Sequence, residues 1–250
     1  MSMTTTESTA PEWTVLAERL SSALHLAAPP IFLAFEGEPP AGVAAFDKPM
    51  SEPAADGRQG RVPASCVFWV EAAVAEQAFS TVADDHGNCS VGKWTHGFSE
   101  LDTSKDDVRA LLESGWVTPE MVPQIPFVAE RPGAISYGRL EDVPVGVLPD
   151  VVLLRVNGRQ MMVLSDSIPG LSIEGKPQCH IVALAKEKGR PAASVGCALS
   201  RARTGMKPEE MTCALPASQL GELVASIEKT AAVDSTVAKY AAEDARRFTV

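Results

Sequence analysis

The chain has 250 residues, 45% of them apolar, and a formal net charge of −10, so a normal globular core is expected. The acidic balance, with no Lys/Arg run longer than two residues, disfavours binding to nucleic acid and to anionic membranes. We therefore expect a small-molecule substrate rather than a nucleic-acid or membrane partner.

The N-terminal segment MSMTTTESTAPEW lacks the apolar stretch of a signal peptide. No run approaches the roughly 18 apolar residues of a membrane span. These features predict a cytoplasmic protein. In that compartment five cysteines are more often free, metal-bound or catalytic than joined in disulfides.

The first part of the chain predicts a disordered tail over residues 1–12, followed by a single globular domain over 13–250. Apolar residues at positions 13, 16, 20 and 24 have a helical period and predict a helix over 13–26. The apolar run at 31–35 predicts a buried strand. The Gly/Pro-rich stretch 37–63 predicts a long surface loop, either a lid over a site or an inert excursion.

The middle of the chain predicts helices and strands in irregular order. In chain order these are a helix over 65–77 with Ser65 as its N-cap, a strand over 79–83, a helix over 103–113, a helix start at 118–122, and a strand over 134–137.

The second half contains the strongest strand signal, the continuous β-branched run DVVLLRV at 150–156. The elements predicted after it are helices over 160–167 and 178–188, strands over 192–197 and 211–215, and helix from Ser218 onwards with a break near Asp234. Without a regular βαβ alternation, the pattern predicts an α+β fold, a mixed sheet flanked by helices in a single compact unit with long loops.

Familiar catalytic motifs are absent from the sequence: it has no Walker loop, GxGxxG after a strand, HExxH, GxSxG or CxxC pair. The segment DDHGNCSVGKWTHG at 84–97 is the densest in reactive side chains, with acids, histidines, a cysteine and a lysine in one short stretch.

Four cysteines each lie beside a predicted turn or helix start: Cys66, Cys89, Cys179 and Cys197. A helix N-terminus favours the thiolate form, which is the metal ligand. Alternatively, these cysteines are small buried residues without a ligand role. The fifth, Cys213, alternates with apolar neighbours and is predicted to belong to the core.

Two further residue types offer chemistry near these cysteines. His86 is a candidate metal ligand, a candidate acid or base, or a structural histidine bonded to Asp84 or Asp85. Arg201 and Arg203 follow Cys197 and could each hold a substrate carboxylate, or pair with acids of the protein surface.

Several of these segments together resemble the domain-of-unknown-function family numbered 169. They are PASCVFWVEAA, FSTVADDHGNCSVGKWTHGF, PDVVLLRVNGRQMMVLSDS, KPQCHIVALA and PAASVGCALSRARTG. The resemblance runs from about residue 28 to 240, and its most specific pieces are DHxNCxxG and SxGCxxxRxxTG.

The resemblance implies functional roles for residues on the family pattern, although the family label names no reaction. These positions are Cys66, Cys89, Cys179, Cys197, His86, Asn88, Gly92, Arg159 and Arg201. Cys213 is not among them. The chain departs from the family at Lys93 and Trp94, where a small residue and Tyr are more frequent.

Four thiolates at one centre would suit a 4Fe–4S cluster or a structural zinc ion. The cysteines are separated by 22, 89 and 17 residues, unlike the close ligand pairs of zinc sites, so the iron–sulfur cluster is favoured. Haem is a third candidate.

We therefore expect a metal-dependent oxidoreductase or lyase that acts on a small organic molecule. Cys66, Cys89, Cys179 and Cys197 would hold the centre around one point, His86 would handle a proton, and Arg201 or Arg159 would anchor the substrate.

Two other functions remain open: a cofactor-free enzyme with Cys89 as nucleophile and His86 as base, and a non-catalytic cofactor-binding or accessory protein. A homo-oligomer formed through the C-terminal helical region is compatible with the sequence, although the pattern is not a sustained heptad.

Overall fold

The computed structural model describes residues 10–47 and 63–248. Within them lies one mixed sheet, formed by β1 (Ile31–Glu36), β2 (Ala44–Ala45), β3 (Phe79–Thr81), β4 (Ala134–Arg139), β5 (Val151–Val156), β6 (Ser172–Glu174), β7 (Ala192–Ser194) and β8 (Met211–Pro216). The strand order is β2-β3-β4-β1-β5-β8-β7-β6. The outer pairs β2–β3 and β6–β7 are parallel, and the pairs between them are antiparallel.

Helices cover both faces of this sheet, which confirms the α+β prediction. They are α1 (Ala10–Leu24), α2 (Ser65–Val74), α3 (Ser90–Thr95), α4 (Asp106–Glu113), α5 (Gly158–Ser167), α6 (His180–Lys188), α7 (Ala198–Thr204) and α8 (Leu220–Phe248). Within the described ranges, no helix combines the length and apolar character needed to cross a bilayer.

Alternation along the central strands divides the interior into two cores. In β5, Val152 and Leu154 face the core formed with α1, α5 and α8, whereas Val151 and Leu153 face the core formed with α2, α3, α4 and α6. Successive side chains of a strand point to opposite faces of the sheet. Alternate residues of a strand therefore belong to different cores. Cys213 in β8 faces the α1–α5–α8 core, as a buried apolar residue.

The helices of the second core pack against one another and against α7. Helix α2 packs against α3 and α7, and α3 packs against α4 and α6. Since these contacts join segments far apart in sequence, they exist only in the folded chain.

Several predicted elements differ from the structure. Ser65 is the first helical residue of α2 and Ala64 is the N-cap. Helix α8 continues through Asp234, where the sequence predicts a break. In place of the helix start predicted at 118–122, residues 119–121 form a turn that leads into a 3₁₀ turn at Val122–Gln124. The short helices α3 and α7 were not predicted, because six and seven residues are too few to show a clear helical period.

Two predicted segments fall partly outside the described residues. The predicted loop 37–63 includes β2, which pairs with β3, while its residues 48–62 are not described. The predicted tail 1–12 overlaps α1, which begins at Ala10, and its residues 1–9 are not described.

Gly133, at the entry to β4, provides a test of the packing at one edge of the second core. A Cβ at this position would lie 1.8 Å from the carbonyl oxygen of Gly37, a backbone atom that cannot turn away. Gly133→Ala should therefore lower the free energy of unfolding by about 1–3 kcal/mol, measured by urea denaturation. Gly158→Ala is the matched control, because a Cβ there meets nothing within 4 Å. Equal urea midpoints for the two variants would contradict this close approach of the two backbone segments.

Candidate functional site

The four predicted cysteines line one cavity in the second core. Its volume is about 700 Å³, including its opening to solvent, and its wall contains Cys66, Cys89, Cys179 and Cys197. The fold thus gathers thiols from four distant parts of the chain. All five cysteines are free thiols, and Cys213 lies on the other side of the sheet.

Each of the four cysteines stands at the start of a helix. Cys66 is the second residue of α2, and Cys89, Cys179 and Cys197 are the N-caps of α3, α6 and α7. Backbone N–H groups in the first helical turn have no partner within the helix. Two of them donate to cysteine sulfur, from Gly92 to Cys89 and from Ser200 to Cys197, each at 3.3 Å.

Burial strongly affects the protonation of these thiols. It raises the pKa of Cys66 to about 12 and raises the pKa of Cys179 well above its usual value. Burial also raises the pKa of Cys89, although the Gly92 N–H and the Arg203 charge favour its thiolate. In the protein alone these three thiols are therefore protonated at neutral pH, and a bound metal would have to displace their protons.

The cysteines share the cavity wall rather than a single point. Among residues 10–47 and 63–248, no three His, Cys, Asp or Glu side chains lie close enough to surround one ion. The four cysteines thus share one cavity, and the meeting of their sulfurs around a single point stays a prediction.

His86 lies outside the cavity wall, behind a serine that belongs to it. Its Nδ1 is 2.7 Å from Ser65 Oγ and its Nε2 is 2.9 Å from Thr81 Oγ1. Because the Thr81 hydroxyl donates to the carbonyl of Ile135, we assign the imidazole proton to Nε2, so that Ser65 donates to Nδ1. Burial lowers the pKa of His86 well below its usual value, so the ring is neutral.

This position corrects two sequence-based interpretations of His86. It is not bonded to Asp85, whose carboxylate accepts a hydrogen bond from the Val82 N–H. Both of its nitrogens bind hydroxyl groups, so it is not paired with Cys89. His86 is joined to the cavity wall by its hydrogen bond to Ser65, which lines it.

Arg201 holds the backbone around Cys197 instead of facing the cavity. Its guanidinium donates to the carbonyl groups of Val195, Lys207 and Glu210. Gly196 has a positive φ of 94°, and a Cβ there would lie 3.1 Å from Arg201 Nε. Arg201 therefore positions the segment that carries Cys197, and the prediction that it anchors a substrate does not fit its location.

Arg159 also lies away from the cavity. It belongs to α5, on the opposite face of the sheet, and its Nη2 is 2.9 Å from an Asp234 oxygen of α8 at the surface. The prediction that it anchors the substrate is not supported by this placement.

Arg203 is the arginine that lines the cavity. Its Nη1 is buried and has no hydrogen-bond partner among the described residues. Residues two positions apart on a helix are separated by about 200° around its axis. Arg201 and Arg203 must therefore point to different sides of α7. The sequence offered both arginines, and the docking of α7 decides that Arg203 faces the cysteines.

Most of the remaining wall is apolar and was not identified from sequence. Helix α4 contributes Val108, Leu111 and Leu112, and Trp94 and Trp116 add aromatic surface. Apolar residues three or four apart in a short acidic helix are a detectable signal of an amphipathic face, but they do not reveal what the face covers.

The family model DUF169, described as Uncharacterised ArCR, matches residues 19–226. The chain therefore belongs to this family, as its motifs had indicated. The matched segment contains all four cavity cysteines. No curated protein and no solved structure matches the chain.

His96, at the end of α3, provides a test of the electrostatics around the site. It is fully buried, its Nδ1 donates to the Gly92 carbonyl at 2.9 Å, and its Nε2 has no partner among the described residues. Burial lowers the pKa of His96 from 6.5 to about 4.

We predict that this histidine makes the protein less stable in acid. In the unfolded chain His96 binds a proton below pH 6.5, whereas in the folded chain it is protonated only below about pH 4. The contribution of neutral His96 to the free energy of unfolding is thus fully present above pH 6.5. It is lost as the pH falls, by about 3 kcal/mol at pH 4. The free energy of unfolding of wild type minus that of His96→Gln, measured in urea, should decrease as the pH falls from 6.5 to about 4. The exposed His25→Gln serves as control, and parallel wild-type and His96→Gln curves would contradict the prediction.

Proposed function

We propose that this protein is an enzyme in which Cys66, Cys89, Cys179 and Cys197 hold a 4Fe–4S cluster beside a small-molecule cavity. The observation that carries the proposal is the placement of four thiols, from four separate helix starts, in the wall of one cavity. A chance set of buried cysteines has no reason to share a wall, and the fifth cysteine does not.

The donor set fits a cluster better than a single ion. A tetrahedral zinc with Zn–S bonds of about 2.3 Å holds its sulfurs roughly 3.8 Å apart. A cluster has several metal and sulfide atoms, so its thiolates are spread around a larger space than those of one zinc ion. The amide donors at Cys89 and Cys197 also match the hydrogen bonds that commonly stabilise cluster sulfur.

When bound, the cluster supplies one-electron redox chemistry with four cysteines attached, or Lewis-acid chemistry if one iron is left open to substrate. The protein's own residues would then orient the substrate and exclude water. The apolar wall excludes water, and Ser65, fixed by its bond to His86, presents a hydroxyl group to the cavity. Arg203 takes the anchoring role that the sequence had suggested for Arg201 or Arg159.

The proposal includes a small organic substrate and a reducing, cytoplasmic location. Reducing conditions keep the four thiols available to iron rather than joined in disulfides. The acidic net charge of −10 favours neither nucleic acid nor an anionic membrane as partner.

The two alternative functions receive less support. A cofactor-free Cys89 nucleophile would need a base beside it, but both nitrogens of His86 bind hydroxyl groups. A non-catalytic cofactor carrier would share the same cysteines and differ from an enzyme by lacking turnover.

The test is the iron and acid-labile sulfide content of protein purified without oxygen. We expect about four of each per chain, with the broad visible absorption of a cluster. Cys66→Ala, Cys89→Ala, Cys179→Ala and Cys197→Ala should each lose most of both. Cys213→Ala should keep them, because Cys213 lies in the other core.

Three outcomes would overturn the proposal. They are iron retention in all four variants, a sharp Soret band that indicates haem, and a colourless wild type with zinc in place of iron. Circular dichroism of each variant would show whether loss of iron reflects loss of a ligand or loss of the fold.

A further inference from the structure

The cavity combines an apolar wall with a single charged side chain. Of the described residues that line it, Arg203 alone carries a formal charge at neutral pH. Aliphatic and aromatic side chains make up most of the rest. Such a wall selects for a ligand that is mostly hydrocarbon and has few charged groups.

The other polar side chains of the wall already have partners. Ser65 is bonded to His86. Gln178 donates to Thr212 at 2.7 Å and accepts a hydrogen bond from Ser200. These bonds hold the two side chains in fixed positions in the wall.

Arg203 is different, because its buried Nη1 has no partner in the described part of the chain. The side chain as a whole is half-buried, but a buried N–H without an acceptor is costly, so a ligand that supplies an acceptor at Nη1 would be stabilising. Arg203 and the four cysteines belong to the wall of the same cavity.

The thiolates of a bound cluster would offset the charge of Arg203 but would not satisfy its N–H donors well. Sulfur is a weak acceptor, whereas a carboxylate accepts two parallel N–H groups from a guanidinium. One guanidinium also suits a monoanion better than a phosphate dianion, which would need further donors that this wall does not offer.

The far wall is suited to the hydrocarbon part of the same ligand. Val108, Leu111 and Leu112 of α4 face the cavity together with Trp116.

We infer that the substrate is an amphipathic organic acid. Its carboxylate pairs with Arg203 beside the cysteines, and its hydrocarbon part lies against α4 and Trp116. This inference rests on the proposed function, since it names the substrate class of the same cavity.

The test measures binding by calorimetry to the full chain as purified, with iron and sulfide assayed on the same sample. The probes are 3-phenylpropionate, the neutral 3-phenylpropan-1-ol and 3-phenylpropyl phosphate. The carboxylate should bind at least about tenfold more tightly than the alcohol, as expected for a charge-assisted pair. It should also bind more tightly than the phosphate ester.

Variants assign that preference to Arg203. Arg203→Met should weaken carboxylate binding about tenfold or more and change alcohol binding less than about twofold. Arg203→Lys should keep part of the preference. Arg131→Met is the matched control, because Arg131 is exposed and pairs with Glu100, and it should bind like wild type.

Each result separates this inference from the proposed function. A wild type with a full cluster but no preference for the carboxylate overturns the inference and leaves the cluster in place. Carboxylate-selective, Arg203-dependent binding by an iron-free wild type supports the anion site and overturns the cluster. Tighter binding of the phosphate ester overturns the monoanion. Because the comparison of probes uses wild type, it decides the question even if Arg203→Met fails to fold.

Discussion

The organisation of this site depends on backbone amides that have no partner within their own helices. Four helices begin at the cavity, and each places a cysteine at or next to its first residue. Sulfur accepts hydrogen bonds from these amides at Cys89 and Cys197. The same burial that gathers the cysteines raises the pKa of three of them, so the protein alone holds thiols that a cation would convert to thiolates.

Two arginines in one short helix have opposite uses in this arrangement. Arg201 binds backbone carbonyl groups and fixes the segment before Cys197, while Arg203 reaches the cavity with an unpartnered buried nitrogen. The difference arises from helical geometry, since a step of two residues reverses the side that a side chain faces. A positioning residue and a candidate anchor therefore occupy the same turn of α7.

The histidines of the 84–97 stretch support the wall rather than form it. His86 holds Ser65 and Thr81, and His96 caps the Gly92 carbonyl, which belongs to the turn that binds Cys89. Both are neutral because burial disfavours the charged ring. The density of chemical groups in this stretch thus reflects one cysteine and the polar network that fixes its surroundings.

Local sequence patterns were enough to identify the family, the α+β class and most strands, because β-branched runs and their alternation carry that information. They also separated Cys213 from the other four cysteines, since period-two alternation in β8 assigns each residue to a sheet face. Tertiary packing was needed to show that Cys66, Cys89, Cys179 and Cys197 share one cavity, that His86 lies behind it, and that Arg203 rather than Arg201 or Arg159 faces it. Those facts depend on how α2, α3, α6 and α7 pack against one another. A local sequence pattern cannot specify such contacts, because they join residues far apart in the chain.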